Sequence, residues 1–507
     1  MNEKGTMEVR IACTRLPRHE PLALYARLTG GRPSADVFLL ESPAGSAEDR
    51  RSAVVGVGRL AEIRVYDRHL DIDGVPAVAA ALARAAGAAG LVRNPPPGPE
   101  PGRHRLRFTG RDMLWEALGR VRGVFEVGGE LPAQGYAFGF LSSFAYESAW
   151  HMETLPGRTG DPQGPDITLT LFRDTVRYDV AGGAPCHLRA HCAEFAGAEP
   201  APDIAAAAAE AARTAAVAPP EAPAPRSVHD SVARDTFLGW ADRCLAHIAV
   251  GDLYQIQIGH RIDVVTDLEP LDVYRRLRAR NPSPYMYLVP GAGGTLIGAS
   301  PELFFRIERD DLAGDEIVMR PIAGTAPRGP DDEVNRRRIK EMRESGKEQA
   351  EHIMLVDLCR NDIGRISRPS TQPVDRLMDV ESFSHVFHLV STVSGRLEPG
   401  VDVWQAVRAT FPAGTMTGAP KVRAMEIIDG LEEEPRGSYA GAVGLIDVRG
   451  WCELALCIRT IAYDGAVYST QSSAGIVAQS DPEAEWRETL AKMGAAYWAL
   501  TGEELLP

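Results

Sequence analysis

Two pairs of glutamates are spaced so that each pair can present two carboxylates from one face of a helix. Glu348 and Glu351 lie three residues apart in KEQAEHIMLVDLCRN, whose apolar residues recur at helical spacing. Glu485 and Glu488 have the same spacing and follow Asp481-Pro482, a typical helix start. Carboxylates from two helices are suitable ligands for Mg²⁺, which also keeps positions for substrate oxygens. From spacing alone, a solvated helix face is the more common interpretation of such a pair.

The elements that must position these glutamates follow from hydrophobic patterning. Short strand-like runs alternate irregularly with Ala-rich helical stretches in the first half, which argues against a series of parallel βαβ units. The second half has strands joined by short turns and followed by long helices. This pattern predicts an α+β fold with antiparallel sheets.

A change of composition divides the chain into three parts. Residues 196–230 are rich in Ala and Pro and have almost no large apolar side chain, which is typical of a surface linker with room for a short helix. We therefore predict an N-terminal region over residues 1–195 and a separate domain over residues 231–507.

The composition excludes several classes of protein. The chain has 507 residues, with 55 Lys and Arg against 69 Asp and Glu, so its formal net charge is −14. An acidic chain without a long basic run is a poor candidate for binding nucleic acid. Because we find no membrane-spanning apolar stretch and no signal-peptide pattern, a cytoplasmic location is expected. The seven cysteines lack zinc-site or disulfide spacing and are predicted to be reduced, mostly packing residues.

Six motifs follow one another between Asp235 and Ala495, namely PIAGT, SHVFHLVS, FPAGTMTGAPKVRAMEII, YAGAVG, CIRT and SAGIVAQSDPEAEWRET. Together they resemble the chorismate-binding domain of anthranilate synthase component I, aminodeoxychorismate synthase component I and the isochorismate and salicylate synthases. FLLES, FGFLSSFAYE and PDITLTLF make residues 1–195 similar to the N-terminal region of anthranilate synthase component I. The resemblance implies two large antiparallel β-sheets packed together with helices outside, and a chorismate-binding catalytic domain over residues 231–507.

The resemblance also implies roles for individual residues. Glu351 and Glu488 match the family's Mg²⁺ ligands, with Glu348 and Glu485 as their helix neighbours, and Glu302 matches its general acid. Chorismate is a dianion, so an acidic protein must bind it through local positive charge. The residues implied to contact the substrate are Gly324, Thr325, Tyr439, Arg459, Ser473, Ala474 and Gly475.

Two positions indicate which nucleophile attacks chorismate. Aminodeoxychorismate synthases carry a lysine at the third position of PIAGT, which attacks C2 covalently, whereas this chain has Ala323. Isochorismate and salicylate synthases carry a water-activating lysine where this chain has Gln255, as anthranilate synthases do. Attack of ammonia at C2 with loss of the C4 hydroxyl is therefore expected, giving 2-amino-2-deoxyisochorismate. Lys421, in GAPK, lacks phosphate-loop spacing and is interpreted as a charge near the substrate carboxylates.

A second step is expected to remove the C2 proton and eliminate pyruvate, giving anthranilate. His388 matches the residue associated with that elimination, and imidazole suits a base near neutral pH. However, QSSAGIV replaces the usual QAGAGIV, so Ser472 and Ser473 stand in the turn expected to hold the ring carboxylate, where a Cβ restricts close approach. The alternatives are a synthase that stops at 2-amino-2-deoxyisochorismate and a non-catalytic regulatory homologue.

The expected partners follow from the same resemblance. No cysteine lies in a Gly-flanked nucleophile turn, so ammonia is expected from a separate glutamine amidotransferase subunit, within a homo- or hetero-oligomer. Ser42, Pro284, Tyr285 and Met286 match the family's tryptophan site. The segment 44–58 contains no aromatic residue, which argues against tight tryptophan binding.

Overall fold

The computed structural model describes residues 6–506 except 33, 95–99, 133, 159, 161–163, 180–181, 201, 216, 292, 370–373 and 384. The strands are β1 (Met7–Arg15), β2 (Val37–Glu41), β3 (Ser52–Val65), β4 (His69–Gly74), β5 (Val92–Arg93), β6 (Arg103–Arg107), β7 (Phe125–Gly129), β8 (Gly139–Phe144), β9 (Ile167–Asp179), β10 (Cys186–His191), β11 (Ser227–Asp230), β12 (Gln255–Val265), β13 (Tyr285–Gly291), β14 (Gly294–Ser300), β15 (Leu303–Glu308), β16 (Glu316–Met319), β17 (Ile322–Pro327), β18 (Val374–Ser382), β19 (Val386–Arg396), β20 (Gly418–Ala419), β21 (Ala442–Asp447), β22 (Cys452–Leu456), β23 (Thr460–Tyr463) and β24 (Tyr468–Ile476).

The helices lie between and outside these strands. They are α1 (Pro21–Thr29), α2 (Pro76–Ala88), α3 (Arg111–Arg122), α4 (Ile204–Ala211), α5 (Arg234–Ala249), α6 (Pro270–Arg280), α7 (Asp332–Glu344), α8 (Gly346–Gly364), α9 (Val403–Thr410), α10 (Gly414–Thr417), α11 (Lys421–Asp429) and α12 (Pro482–Thr501), with 3₁₀ turns at Tyr146–His151 and Ala193–Phe195. Within the described ranges, no helix combines the length and apolar character needed to cross a bilayer.

The predicted α+β class is confirmed by this arrangement of antiparallel strands and helices. The described strands are linked by hydrogen bonds into one network, so the two expected sheets are continuous with each other. Among the described pairings, β1 with β7 is parallel and the others are antiparallel. Neighbouring residues of β3 enter different apolar cores, Val54 with Phe38 and Val55 with Leu39, because successive side chains of a strand point to opposite faces.

Strand pairing also joins the N-terminal region to the C-terminal one. β2 pairs with β13, placing Leu40 opposite Tyr287, and β8 pairs with β21, placing Ser143 opposite Val443. Within the Ala/Pro-rich segment, α4 buries Ile204 in the core that also contains Leu24 of α1. The domain boundary at residues 196–230 stays a prediction from composition. The strand pairs β2–β13 and β8–β21 join residues on its two sides by hydrogen bonds.

A disulfide bond between Cys13 and Cys186 corrects the expectation that all seven cysteines are reduced. In the antiparallel pair β1–β10, Cys186 lies opposite Arg15, and Cys13 is two residues from Arg15 on the same face. The two Cα atoms are therefore diagonal neighbours, 6.3 Å apart. Their separation of 173 residues in sequence conceals this proximity.

The two glutamate-bearing helices form as their sequences predict. α8 begins after Ser345, whose hydroxyl accepts a hydrogen bond from the backbone N–H of Glu348, and it packs on β17 and β19. α12 begins with Pro482 after Asp481 and packs on β24. α8 therefore rests on β17 and β19 and α12 on β24, and residues of both helices border one cavity.

Candidate active site

A cavity of about 890 Å³ lies between α8, α12 and strands β12, β17, β19 and β24. Most of the residues predicted from sequence to form a site line it. They are Gln255, Glu302, Gly324, Thr325, Glu348, Glu351, His388, Tyr439, Arg459, Ser473, Gly475, Glu485 and Glu488.

The glutamates of α8 and α12 are close enough to influence each other's ionisation. Burial raises the pKa of Glu351, and the charges of Glu348 and Glu488 raise it further. Burial also raises the pKa of Glu485, with a contribution from Glu488. Burial opposes ionisation of Glu488, yet its pKa is below the usual value because Lys492 Nζ lies 2.6 Å from Glu488 Oε1. The two helices thus direct a concentration of negative charge into the cavity.

This donor set fits a magnesium ion that is shared with an anionic substrate. Over the described ranges, no three His, Cys, Asp or Glu side chains are grouped closely enough to hold a metal by themselves. Mg²⁺ commonly binds through one or two carboxylates and keeps water and substrate oxygens as its other ligands. A dication between Glu351 and Glu488 would relieve the mutual repulsion that raises the pKa of Glu351.

Glu302 lies between β14 and β15, and its side chain faces the cavity. The residue is only 8% exposed. Burial raises the pKa of Glu302 to about 8, although the positive charge of Lys492 opposes this shift. The carboxyl group therefore carries a proton at neutral pH and can donate it to a leaving group.

His388 is held in one tautomer on β19. Its Nδ1–H donates to the carbonyl oxygen of Gly324 at 2.8 Å, which leaves Nε2 as the unprotonated nitrogen. Burial lowers the pKa of His388 to about 4, so the imidazole is neutral. Gly324 has a φ of 70°, and an added Cβ would lie 3.1 Å from Leu389 Cδ1 and 3.3 Å from Glu348 Oε2. A glycine is needed there to direct the carbonyl group toward His388.

Gln255 and Ala323 define the part of the cavity where a nucleophile would approach. Gln255 is buried at the start of β12, and its Oε1 atom has no hydrogen-bond partner among the described residues. Ala323 lies on β17 and lines the same cavity. This region therefore offers a hydrogen-bond acceptor and contains no lysine at either position.

Tyr439, Arg459 and Ser473 form a polar group that also lines the cavity. The hydroxyl groups of Tyr439 and Ser473 are 2.6 Å apart, and Arg459 Nη1 donates to the carbonyl oxygen of Lys492 at 2.7 Å. Burial lowers the pKa of Arg459, and Tyr439 lies close enough to oppose that shift. The guanidinium group of Arg459 supplies positive charge for an anionic group at this part of the cavity.

The two serines of QSSAGIV lie inside a strand, which corrects the prediction of a turn. Ser472 and Ser473 belong to β24 and pair with His260 and Gly259 of β12. The pairing continues through Gly475, where an added Cβ would lie 2.7 Å from Gln255 Nε2. Ser473 is therefore held by a strand rather than by a pliable loop.

The structure does not bring two of the predicted residues to the cavity. Lys421 Nζ lies 2.9 Å from Asp362 Oδ2 and 2.9 Å from the carbonyl oxygen of Thr410, so its charge is already paired. Ala474 points away from the cavity, since alternate residues of β24 face opposite sides, and packs in an apolar cluster with Phe237.

The residues matched to a tryptophan site lie at the seam between β2 and β13. Tyr285 and Met286 are buried on β13, and the Tyr285 hydroxyl donates to Asp49 Oδ1 at 2.9 Å. Asp49 also pairs with the buried Arg320. Pro284 packs over Gly45, where an added Cβ would lie 2.7 Å from Pro284 Cβ, and the Ser42 hydroxyl faces the carbonyl oxygen of Ser52 at 3.5 Å.

Sequence reasoning missed several polar residues of the cavity, among them Gln257, Lys347 and Lys492. Lys492 is central because its ammonium group contacts Glu488 and donates to the carbonyl oxygen of Ser473 at 2.9 Å. The spacing of Glu488 and Lys492, four residues apart on α12, was the available clue. Gln257 lies two residues after Gln255 on β12 and so shares its face.

The sequence and fold of this chain are similar to those of known chorismate-using enzymes. The model of the chorismate binding enzyme family matches residues 105–497. The 2-amino-4-deoxychorismate synthase of Streptomyces globisporus is 48% identical over 98% of this chain and 98% of its own length. Anthranilate synthase component 1 of Streptomyces coelicolor is 42% identical over 79% of each chain. The solved structure of anthranilate synthase component I from Streptococcus pneumoniae is 28% identical, with a TM-score of 0.66 over 90% of this chain and 92% of its own. The chain therefore belongs to the family of chorismate-binding enzymes.

Proposed function

We propose that this protein catalyses the Mg²⁺-dependent amination of chorismate at C2 by ammonia, with loss of the C4 hydroxyl. The observation that carries the proposal is the buried Glu302, which holds a proton at neutral pH in the cavity that also receives both glutamate pairs. Hydroxide is a poor leaving group, so this reaction needs a positioned acid.

The bond changes balance without an oxidant or a reductant. The nitrogen of ammonia forms a bond to C2, the C1=C2 electron pair moves to C1=C6, the C5=C6 pair moves to C4=C5, and the C4–O bond breaks. The ammonium group formed at C2 then loses one proton to solvent. Glu302 gives its proton to the departing oxygen, which leaves as water. Glu351 and Glu488 would hold Mg²⁺, which when bound would offset the negative charge of the ring carboxylate.

The residues around the nucleophile support ammonia. A small rotation of the buried Gln255 side chain would present its unpartnered Oε1 atom to an N–H of ammonia, while a neutral amide does not deprotonate water. Ala323 has no nucleophilic atom, so a covalent adduct at C2 through this position is not available. Both observations favour direct attack by ammonia.

We further propose that the aminated ring is the released product. An amino group at C2 and no hydroxyl at C4 is the constitution of 2-amino-2-deoxyisochorismate, and the name 2-amino-4-deoxychorismate describes the same substitution. The relative with that name matches nearly the whole chain. The second candidate is completion to anthranilate and pyruvate, which His388 favours because its free Nε2 faces the cavity as a base.

Mass spectrometry of the purified protein with chorismate, Mg²⁺ and ammonium tests these proposals. We expect an aminated compound that keeps its enolpyruvyl ether. Anthranilate with equimolar pyruvate would instead support the second candidate. Absence of chorismate consumption would contradict amination and favour a non-catalytic homologue.

Ammonia from glutamine would reach this enzyme through a separate amidotransferase subunit. Several relatives are named as component 1, which supports a second component. We expect glutamine to sustain turnover only when such a subunit is added, whereas ammonium sustains turnover without it. Glutamine-dependent turnover by the isolated chain would contradict this expectation.

Tryptophan is expected not to inhibit the enzyme. The hydroxyl of Tyr285 is occupied by Asp49, whose carboxylate is paired with Arg320, so the chain's own side chains fill the seam between β2 and β13. Initial rates with and without millimolar tryptophan should agree within error. Competitive inhibition at micromolar tryptophan would show that this network opens for a ligand.

A further inference from the structure

We propose that Ser473 is a positioning residue that keeps the hydroxyl hydrogen of Tyr439 away from the substrate and thereby prevents the elimination of pyruvate. This inference rests on the proposed amination at the same site. It explains how the cavity can hold a base, His388, and still release the aminated ring.

A chain of three polar groups fixes the direction of the hydrogen bonds. Ser473 Oγ lies 2.9 Å from Gln257 Oε1 and 2.6 Å from the Tyr439 hydroxyl. An amide oxygen only accepts, so the hydrogen of Ser473 goes to Gln257. The hydrogen between Tyr439 and Ser473 must then come from Tyr439. The tyrosine therefore presents only its oxygen lone pairs to the cavity.

The surrounding structure prevents these three hydrogen-bonded side chains from rearranging. Ser473 is 2% exposed, Tyr439 6% and Gln257 9%. Ser473 is paired with Gly259 of β12, where an added Cβ would lie 2.8 Å from Ser473 Cα, so the two strands are in close contact.

Arg436 holds Gln257 and Tyr439, the two outer members of this hydrogen-bonded series, in place. It donates to the backbone carbonyl oxygen of Gln257 at 2.8 Å and makes two bonds of 2.7 Å to Glu432. Its guanidinium carbon lies 5.7 Å from the centroid of the Tyr439 ring. Both ends of the hydrogen-bonded chain are thus anchored to buried groups.

Elimination of pyruvate needs stabilisation of a leaving oxygen. His388 Nε2 is the base in this cavity that removes the proton on C2. The electron pair of the broken C2–H bond forms a new double bond between C2 and C3. The C3–O bond breaks, and the electron pair of that bond leaves with the enolpyruvate, which takes a proton on its methylene carbon to become pyruvate. Negative charge develops on the departing oxygen, so a hydrogen-bond donor there is worth about 10²- to 10³-fold in rate.

Tyr439 is the donor that Ser473 removes from this step. Tyr439 and Arg459 line the same cavity as His388, so the tyrosine hydroxyl and the guanidinium group both face the space that the anionic substrate would occupy. With its hydrogen committed to Ser473, Tyr439 offers lone pairs to a negative leaving group instead of a proton. The amination step does not use this hydrogen and is unaffected.

The test compares the products of single and double variants with saturating chorismate, Mg²⁺ and ammonium. In Ser473→Ala, Tyr439 becomes free to donate, and we expect the ratio of anthranilate to aminated chorismate to rise about 10²-fold. Ser473→Gly removes the same hydroxyl and serves if the alanine variant is unstable. Ser473→Thr keeps the hydroxyl and should retain the product ratio of the original protein.

A double variant separates hydrogen-bond direction from a general loosening of the site. In Ser473→Ala combined with Tyr439→Phe, the freed hydroxyl is absent, so the product ratio should return to that of the original protein. Tyr439→Phe alone should change the ratio little, because that hydrogen is already committed. A merely structural role for Ser473 predicts no such reversal.

Several outcomes overturn the inference. An unchanged product ratio in both Ser473→Ala and Ser473→Gly, with amination intact, overturns the inference and leaves the proposed function standing. So does a double variant as rich in anthranilate as Ser473→Ala, or an original protein that eliminates pyruvate as fast as it aminates. If the original protein makes no aminated product, the proposed function fails, and the inference fails with it.

Discussion

Replacing Glu302 by glutamine is expected to lower kcat about 10²- to 10⁴-fold, because the amide cannot transfer a proton to the departing hydroxyl. The side chain is nearly isosteric, and its buried position between β14 and β15 is unchanged. Binding of chorismate, measured by calorimetry in the absence of ammonium, should remain close to that of the original protein. Steady-state kinetics provide the rate.

The same group sets an expected pH dependence. Burial raises the pKa of Glu302 to about 8, so the acid form predominates below that pH and is lost above it. The rate, measured at a constant concentration of unprotonated ammonia, should therefore fall as pH rises through about 8. This fall of the rate with rising pH should be absent in Glu302→Gln. A variant that keeps the original rate and pH profile would exclude Glu302 as the acid.

Replacing Glu351 or Glu488 by glutamine should remove Mg²⁺-dependent turnover, with a loss of at least about 10²-fold. Each change withdraws one of the anionic ligands, and metal stabilisation of transition-state charge is worth several kcal/mol. Chelation of Mg²⁺ from the original protein should produce a loss of the same size. Because glutamine is nearly isosteric with glutamate and both residues lie within helices, circular dichroism should be unchanged.

A matched control lies on the same helix as Glu351. Asp357 is 60% exposed, pairs with Arg360 at 2.8 Å and does not line the cavity. Asp357→Asn removes one negative charge from α8 but should leave turnover and its Mg²⁺ dependence unaltered. Full activity in both glutamate variants would remove these carboxylates from the site, whereas a loss in Asp357→Asn would indicate a general effect of charge.

Local patterns predicted the helices and most of the cavity lining. The spacing of Glu348 with Glu351 and of Glu485 with Glu488 reports which side chains share a helix face, and this depends only on the helical period. What brings α8 to α12 is the packing of both on strands from distant parts of the chain. The resemblance to a family supplied that information, which spacing alone did not contain.

The differences between expectation and structure share a physical origin. Lys421 pairs with Asp362, 59 residues away, and Cys13 bonds to Cys186 across two strands. A sequence shows neither the charge that neutralises a lysine nor the register that aligns two cysteines. Ser473 was placed in a turn by the resemblance to the family, whereas pairing with β12 extends the strand through it.

The pairing of β2 with β13 and of β8 with β21 bears on how this protein can be divided experimentally or by evolution. After a cut of the backbone in the Ala/Pro-rich segment, we expect the two pieces to stay associated, because strands of one piece pair with strands of the other. Producing either piece alone would instead expose unpaired strand edges, which invite aggregation. The apparent boundary in composition therefore does not separate two independently folding units, because strands from its two sides complete each other's pairing.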